Sequence, residues 1–140
     1  MTASEILKQL EALGDAQTKK TLMKHGAKEP FFGVKVADLK LILKKTKKNH
    51  ELSLALFNTG NADAMYLAGL MADEKQITKA QLEEWADKAY GYLNEFTVPW
   101  VASETPFGFE LGQKWIKSEK EHIAVTGWAT LASYASKSSS

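Results

Sequence analysis

Apolar residues recur at intervals of three and four through most of this chain, and no stretch alternates convincingly between apolar and polar. Such spacing lines one face of a helix, so the expected fold is all-α with short links. Ile6, Leu7, Leu10 and Leu13 mark a first helix, opened by Thr2 or Ser4 and closed by Gly14. A second starts at the N-cap Asp15, passes through Leu22 and Met23 to His25, and ends on Gly26 as a left-handed C-cap. Pro30 and Gly33 punctuate the next connection, whose Phe31, Phe32 and Val34 are expected to plug into the core. The third helix, about 37–48, sets Leu39, Ile42 and Leu43 against Lys40, Lys44 and Lys47, with Asp38 and the terminal lysines matched to the helix dipole. A fourth covers His50–Phe57, and a fifth, 63–72, holds small residues (Ala64, Ala68, Gly69, Ala72) that let neighbours approach closely. The sixth, about 78–96, has Leu82, Trp85, Ala89 and Leu93 on its core face and is expected to open without a full capping box.

Residues 92–115 interrupt this regularity. Pro99 and Pro106 each reject a helix interior, which predicts a short helical piece over 100–105 between two breaks. Trp100 and Glu104 lie four apart on its face, an aromatic plate and a carboxylate placed to serve a site as well as a core. Phe107, Leu111 and Trp115 mark a helix ending near Lys117, and Ser118 can cap the last one. There Ile123, Val125, Trp128, Leu131 and Tyr134 exceed a single narrow stripe. That face calls for a partner, either a second copy of the chain against Trp128, Leu131 and Tyr134 or the continuation of a longer protein. The succession of helices suits antiparallel hairpins in a bundle or a solenoid, although no repeat of fixed period is present. One domain is expected over residues 1–135, followed by a disordered polar tail, 136–140.

Composition narrows the function. At 140 residues the chain suffices for one domain with a core. It has no cysteine, hence no disulfide framework or thiolate metal site, and no apolar run near the roughly 18 residues of a membrane span. A soluble, cytoplasmic protein without membrane contact is expected. The net charge is +1, but residues 1–50 hold eleven lysines against five acids and residues 51–140 seven against twelve. All the cations are lysine. Without arginine, bidentate recognition of phosphate or guanine is excluded, and any nucleic-acid contact is made by point charges. His25, His50 and His122 lack metal-ligand spacing, and no cofactor-binding motif is present.

Most of these residues also have simpler readings. Trp85, Trp115 and Trp128 sit at core spacing, and Glu83, Glu84, Asp87 and Glu95 suit a solvated face. Glu104 fits a surface carboxylate near a broken helix end as well as it fits a site. The lysines at 44, 45, 47 and 48 are either a solvated helix end or, with Lys19, Lys20, Lys24, Lys28, Lys35 and Lys40, a phosphate-binding stripe.

Gly33-Val34-Lys35-Val36-Ala37-Asp38-Leu39-Lys40-Leu41-Ile42, ahead of a lysine-rich helix end, resembles the opening of the DNA alkylation repair family, the HEAT-like helical-repeat DNA glycosylases of AlkD type. Asn61 to Ala68, Trp100 to Glu104 and Lys114 to Ser118 are similar to later family motifs in the same order, so that the resemblance covers most of residues 4–135. It implies antiparallel helix pairs stacked as a HEAT-like, ARM-type right-handed superhelical solenoid whose concave face holds duplex DNA. Enzymes of the family excise cationic alkylated purines without flipping the base into a pocket, unlike most enzymes that act on a base. By this resemblance Lys35, Lys40, Lys44, Lys47 and Lys48 would contact the DNA backbone, and Tyr66, Trp100, Trp115 and His122 would surround the substrate. Glu104 would be the catalytic carboxylate that stabilises the oxocarbenium sugar and positions water.

Two departures bear on catalysis. Glu104 stands where the family has aspartate, one methylene longer, and the family's arginine has no counterpart between Glu119 and Tyr134, where His122 is the available partial cation. The expectation is therefore a DNA-binding repair protein, with excision of alkylated purines or, alternatively, a catalytically inactive helical scaffold for a protein or peptide.

Overall fold

The computed structural model describes residues 1–138, and all regular structure among them is helical. The chain forms two compact units, residues 1–73 and 74–140.

In the first unit, α1 (Ala3–Leu13) is capped by Thr2, and α2 (Ala16–Lys24) by Asp15, whose carboxylate accepts from the Thr18 N–H. Helices α3 (Val36–Thr46), α4 (His50–Phe57) and α5 (Ala62–Met71) follow. α4 and α5 form an antiparallel hairpin, fixed at one end by the Asn49 N–H donating to the Met71 carbonyl and midway by the Ser53 hydroxyl donating to Ala68 O at 2.9 Å. α5 is the central helix, touching α1, α3 and α4. It is buried almost all round, with Ala62, Ala64, Leu67, Ala68 and Met71 at zero exposure, because its alanines allow close approach from several sides. Phe31 and Val34 plug into this core as expected, whereas Phe32 is only half-buried. α2 buries no residue; Leu22 is half-buried and Met23 exposed.

The second unit opens with α6 (Lys79–Lys88). Gln81 stands three residues after Thr78, so this helix begins on a full capping box, contrary to expectation. It also ends earlier than the apolar spacing predicts. Residues 89–91 break it, Ala89 extended and Gly91 at φ +56°. The chain resumes in a π-helical turn, Leu93–Thr97, that continues directly into α7 (Val98–Glu104). Pro99 therefore does not break the helix. The Val98 N–H reaches back five residues to Leu93 O, and the widened turn makes room for the proline ring, which needs no donor partner.

After Pro106 come α8 (Gly108–Trp115) and α9 (Glu121–Ser138). They pack antiparallel, with Gly112 against Leu131, Trp115 and Ile116 against Gly127, and Phe109 stacked on Tyr134. A Cβ on Gly127 would lie 2.6 Å from the Ile116 nitrogen, so the pair's closeness depends on that glycine. α9 runs parallel to the 93–104 segment, since Asn94 donates to Thr126 at one end and Lys137 reaches Ser103 and Glu104 at the other. The helix extends into the expected polar tail, through Ser138; Ser139 and Ser140 lie outside the described residues. Among the described residues no helix is long and apolar enough to cross a membrane.

Candidate nucleic-acid interface

In the first unit the lysines are arranged by α3. Residues 40 and 44 follow one another at helical spacing, Lys47 comes just after the last turn, and Lys40, Lys44, Lys45, Lys47 and Lys48 are all exposed, as is Lys35 at the N-cap. Among the described residues Lys40, Lys44, Lys45 and Lys47 form no ion pair with a carboxylate. Lys47 ends the helix with φ +57°, an uncommon conformation for a side-chain-bearing residue.

The approach to α3 is held by a residue that the sequence pattern does not single out. Asp63, 1% exposed on α5, accepts from the backbone N–H groups of Phe32 (2.6 Å), Gly33 (3.2 Å) and Val34 (2.9 Å). Gly33 sits at φ +80°, and a Cβ there would lie 2.5 Å from the Lys19 backbone. Side-chain capping is missing at Lys35, so the Asp63 carboxylate is what fixes the chain just before the lysine stripe. Beside this loop Lys19 pairs with Glu29 at 2.5 Å and lies over the Phe31 ring. Asp15 is held below the usual carboxylate range by hydrogen bonds from Thr18, with a smaller pull from Lys35. Tyr66, half-buried on α5, has its hydroxyl pushed above the ordinary value by burial.

The second unit presents Phe96, Trp100 and Glu104 along one side of the π-turn and α7. Phe96 is 45% and Trp100 36% exposed, their ring centroids 6.0 Å apart and tilted by 45°. Glu104 borders an open cavity of about 620 Å³ lined by Ile77, Thr78, Lys79, Pro106 and Phe107. The Lys79 ammonium lies 5.5 Å from the Phe107 ring centre and pairs with Glu110.

Lys137, from the last turns of α9, reaches Glu104, with Nζ 3.6 Å from the carboxylate. Lys137 also donates to the Ser103 hydroxyl at 2.7 Å, and that hydroxyl donates to Trp100 O. His122 stands elsewhere. Its ring nitrogen meets the Asp87 carbonyl at 2.9 Å, and fifteen residues of α9 separate it from Lys137, about 22 Å along the helix. Asp87 there is held below the ordinary carboxylate range, chiefly by its hydrogen bond from Lys120. Trp115 is 3% exposed and packs into the α8–α9 pair, which makes it a core residue. Of the three residues expected to form a partner surface, Leu131 and Tyr134 are engaged within the unit and Trp128 is 63% exposed.

A family model described as DNA alkylation repair enzyme matches residues 6–139. Among curated proteins, uncharacterized proteins of Listeria innocua serovar 6a and Listeria monocytogenes serovar 1/2a are 30% and 29% identical over 134 residues, 91% of this chain. The chain spans about 60% of the length of these relatives. A solved structure described as a new family of proteins related to the HEAT-like repeat DNA glycosylases with affinity for branched DNA structures superposes with a TM-score of 0.88. It is 39% identical, over 94% of this chain and 56% of the other. The helical arrangement is thus of HEAT-like repeat type.

Proposed function

The chain belongs to the DNA alkylation repair enzyme family, and from that premise we propose that it binds DNA through phosphate contacts of Lys35, Lys40, Lys44, Lys47 and Lys48. The observation that carries this reading is the exposed α3 stripe, in which Lys40, Lys44, Lys45 and Lys47 have no carboxylate partner among the described residues. Ammonium groups on flexible stems suit phosphates and carry no base code, so binding follows the shape and charge of the DNA and not its sequence. The relative with affinity for branched DNA supports including junctions among the substrates.

The test is fluorescence anisotropy of the purified chain with a duplex, an abasic duplex and a four-way junction at several salt concentrations. Binding that weakens steeply with salt is the expected result. Absence of binding at low salt, together with a stable protein partner in pull-downs, would replace this reading by that of a protein-binding scaffold.

Excision of alkylated purines is a second reading, favoured by the shared exposed face of Trp100 and Glu104. Trp100 would pack against the lesion nucleotide and Glu104 would offer its charge to the oxocarbenium sugar, the kind of charge placement that favours glycosidic cleavage. Release of 7-methylguanine from alkylated DNA by the wild type, abolished in Glu104→Gln, is its expected signature. No release at high enzyme concentration would leave DNA binding alone.

A further inference from the structure

The charges along the Phe96–Trp100–Glu104 face do not favour DNA as they stand. Glu104 is exposed there, Lys79 across the adjoining cavity is paired with Glu110, and other lysines of the unit are committed to distant carboxylates, Lys88 to Glu84, Lys114 to Glu83 and Lys120 to Asp87. Lys137 is different. Its ammonium is held by two groups at once, the Ser103 hydroxyl at 2.7 Å and the Glu104 carboxylate at 3.6 Å. Ser103 is 95% buried and tied to the Trp100 carbonyl, which makes it a fixed anchor, whereas Glu104 is about half-exposed and borders an open cavity. The contact to Ser103 is the shorter. An incoming anion can therefore replace Glu104 at the ammonium while Ser103 keeps the lysine in place.

We propose that Lys137 is a DNA-phosphate contact of the Trp100 face, and that a phosphate exchanges with Glu104 at its ammonium, releasing the carboxylate beside Trp100. This rests on the DNA-binding reading and deepens it. The α3 lysines supply general attraction, while Lys137 couples phosphate binding to uncovering of the carboxylate. In the free protein the pair keeps Glu104 neutralised, and on DNA the carboxylate becomes available next to the bound nucleotide. An exposed ion pair of this kind is weak enough to be traded for a charge-assisted contact to phosphate.

The test is anisotropy with the abasic duplex and the four-way junction across a salt series, using the full chain and the variants Lys137→Ala, Lys137→Arg, Glu104→Gln and the Lys137→Ala/Glu104→Gln pair. All are exposed substitutions, and thermal melts verify folding. Lys137→Ala is expected to weaken binding about fivefold and to lower the slope of log affinity against log salt by about 1, with Lys137→Arg restoring both. Glu104→Gln is expected to tighten binding about threefold, an effect lost when Lys137 is alanine. Unchanged affinity and slope in Lys137→Ala, with a wild type that binds, overturn this inference and leave the α3 reading standing. Equal tightening by Glu104→Gln with and without Lys137 overturns the exchange, because the carboxylate then acts by direct repulsion. A wild type that binds no DNA overturns both readings.

Discussion

In residues 1–73, Lys40, Lys44 and Lys45 on the exposed side of α3, and Lys47 just past its end, have no carboxylate opposite them among the described residues. In residues 74–140, Lys79, Lys88, Lys114, Lys120 and Lys137 each lie within 3.6 Å of one. The counts alone, eleven lysines with eight acids against seven with nine, understate this contrast. A lysine already sharing its field with a carboxylate attracts phosphate less than one that faces only water, so the DNA-attracting potential is concentrated on α3. The second unit offers shape instead, with exposed aromatic rings, a cavity and one carboxylate whose partner is replaceable.

The largest effect should come from removing what holds the lysine helix in register. Asp63→Ala leaves three backbone donors without their acceptor and is expected to destabilise the first unit by on the order of 3 kcal/mol, read as a lower midpoint in urea unfolding. Next comes the stripe itself. The Lys40→Ala/Lys44→Ala/Lys47→Ala variant should lose on the order of a hundredfold in duplex affinity at 0.1 M salt and about 2.7 in salt slope, with stability changed by less than about 0.5 kcal/mol. The matched triple in the second unit, Lys79→Ala/Lys114→Ala/Lys120→Ala, should change affinity less than about twofold, since its charges are already paired. A loss equal to that of the α3 triple would erase the contrast.

The smallest effect concerns pH. Asp87 has a folded-state pKa below its ordinary 3.8, owing first to its hydrogen bond from Lys120. Its contribution to stability is therefore complete above pH 3.8 and lost as the pH falls through the lower folded value. Thermal melts should show a slightly shallower acid decline for Asp87→Asn than for the wild type.

The features legible in the sequence are those fixed by near neighbours. Helices α1 to α5 follow from apolar spacing and the caps Thr2, Asp15 and Gly26, and helical periodicity by itself puts Lys40 and Lys44 on one side of α3. The break at 89–91 is hidden because Ala89 and Leu93 continue the apolar rhythm, which carries no mark of Gly91 adopting φ +56°. Pro99 reads as a stop because an α-helical pitch would exclude it, and the π-turn that admits it has no pattern of its own. Lys137 sits in a serine-rich tail whose composition predicts no structure, which leaves His122 as the nearer cation along the chain. The fold reverses that choice, since α9 runs parallel to the 93–104 segment and carries its far end to Glu104. Asp63 gives no local sign at all, because its partners lie about thirty residues earlier.

That last separation has a kinetic meaning. The α4–α5 hairpin joins neighbours and can form early, but the carboxylate can clasp Phe32, Gly33 and Val34 only after the intervening loop has closed. The three amides should consequently exchange with solvent only through cooperative opening of the first unit, slowly and at one shared rate, although they belong to a connection between helices.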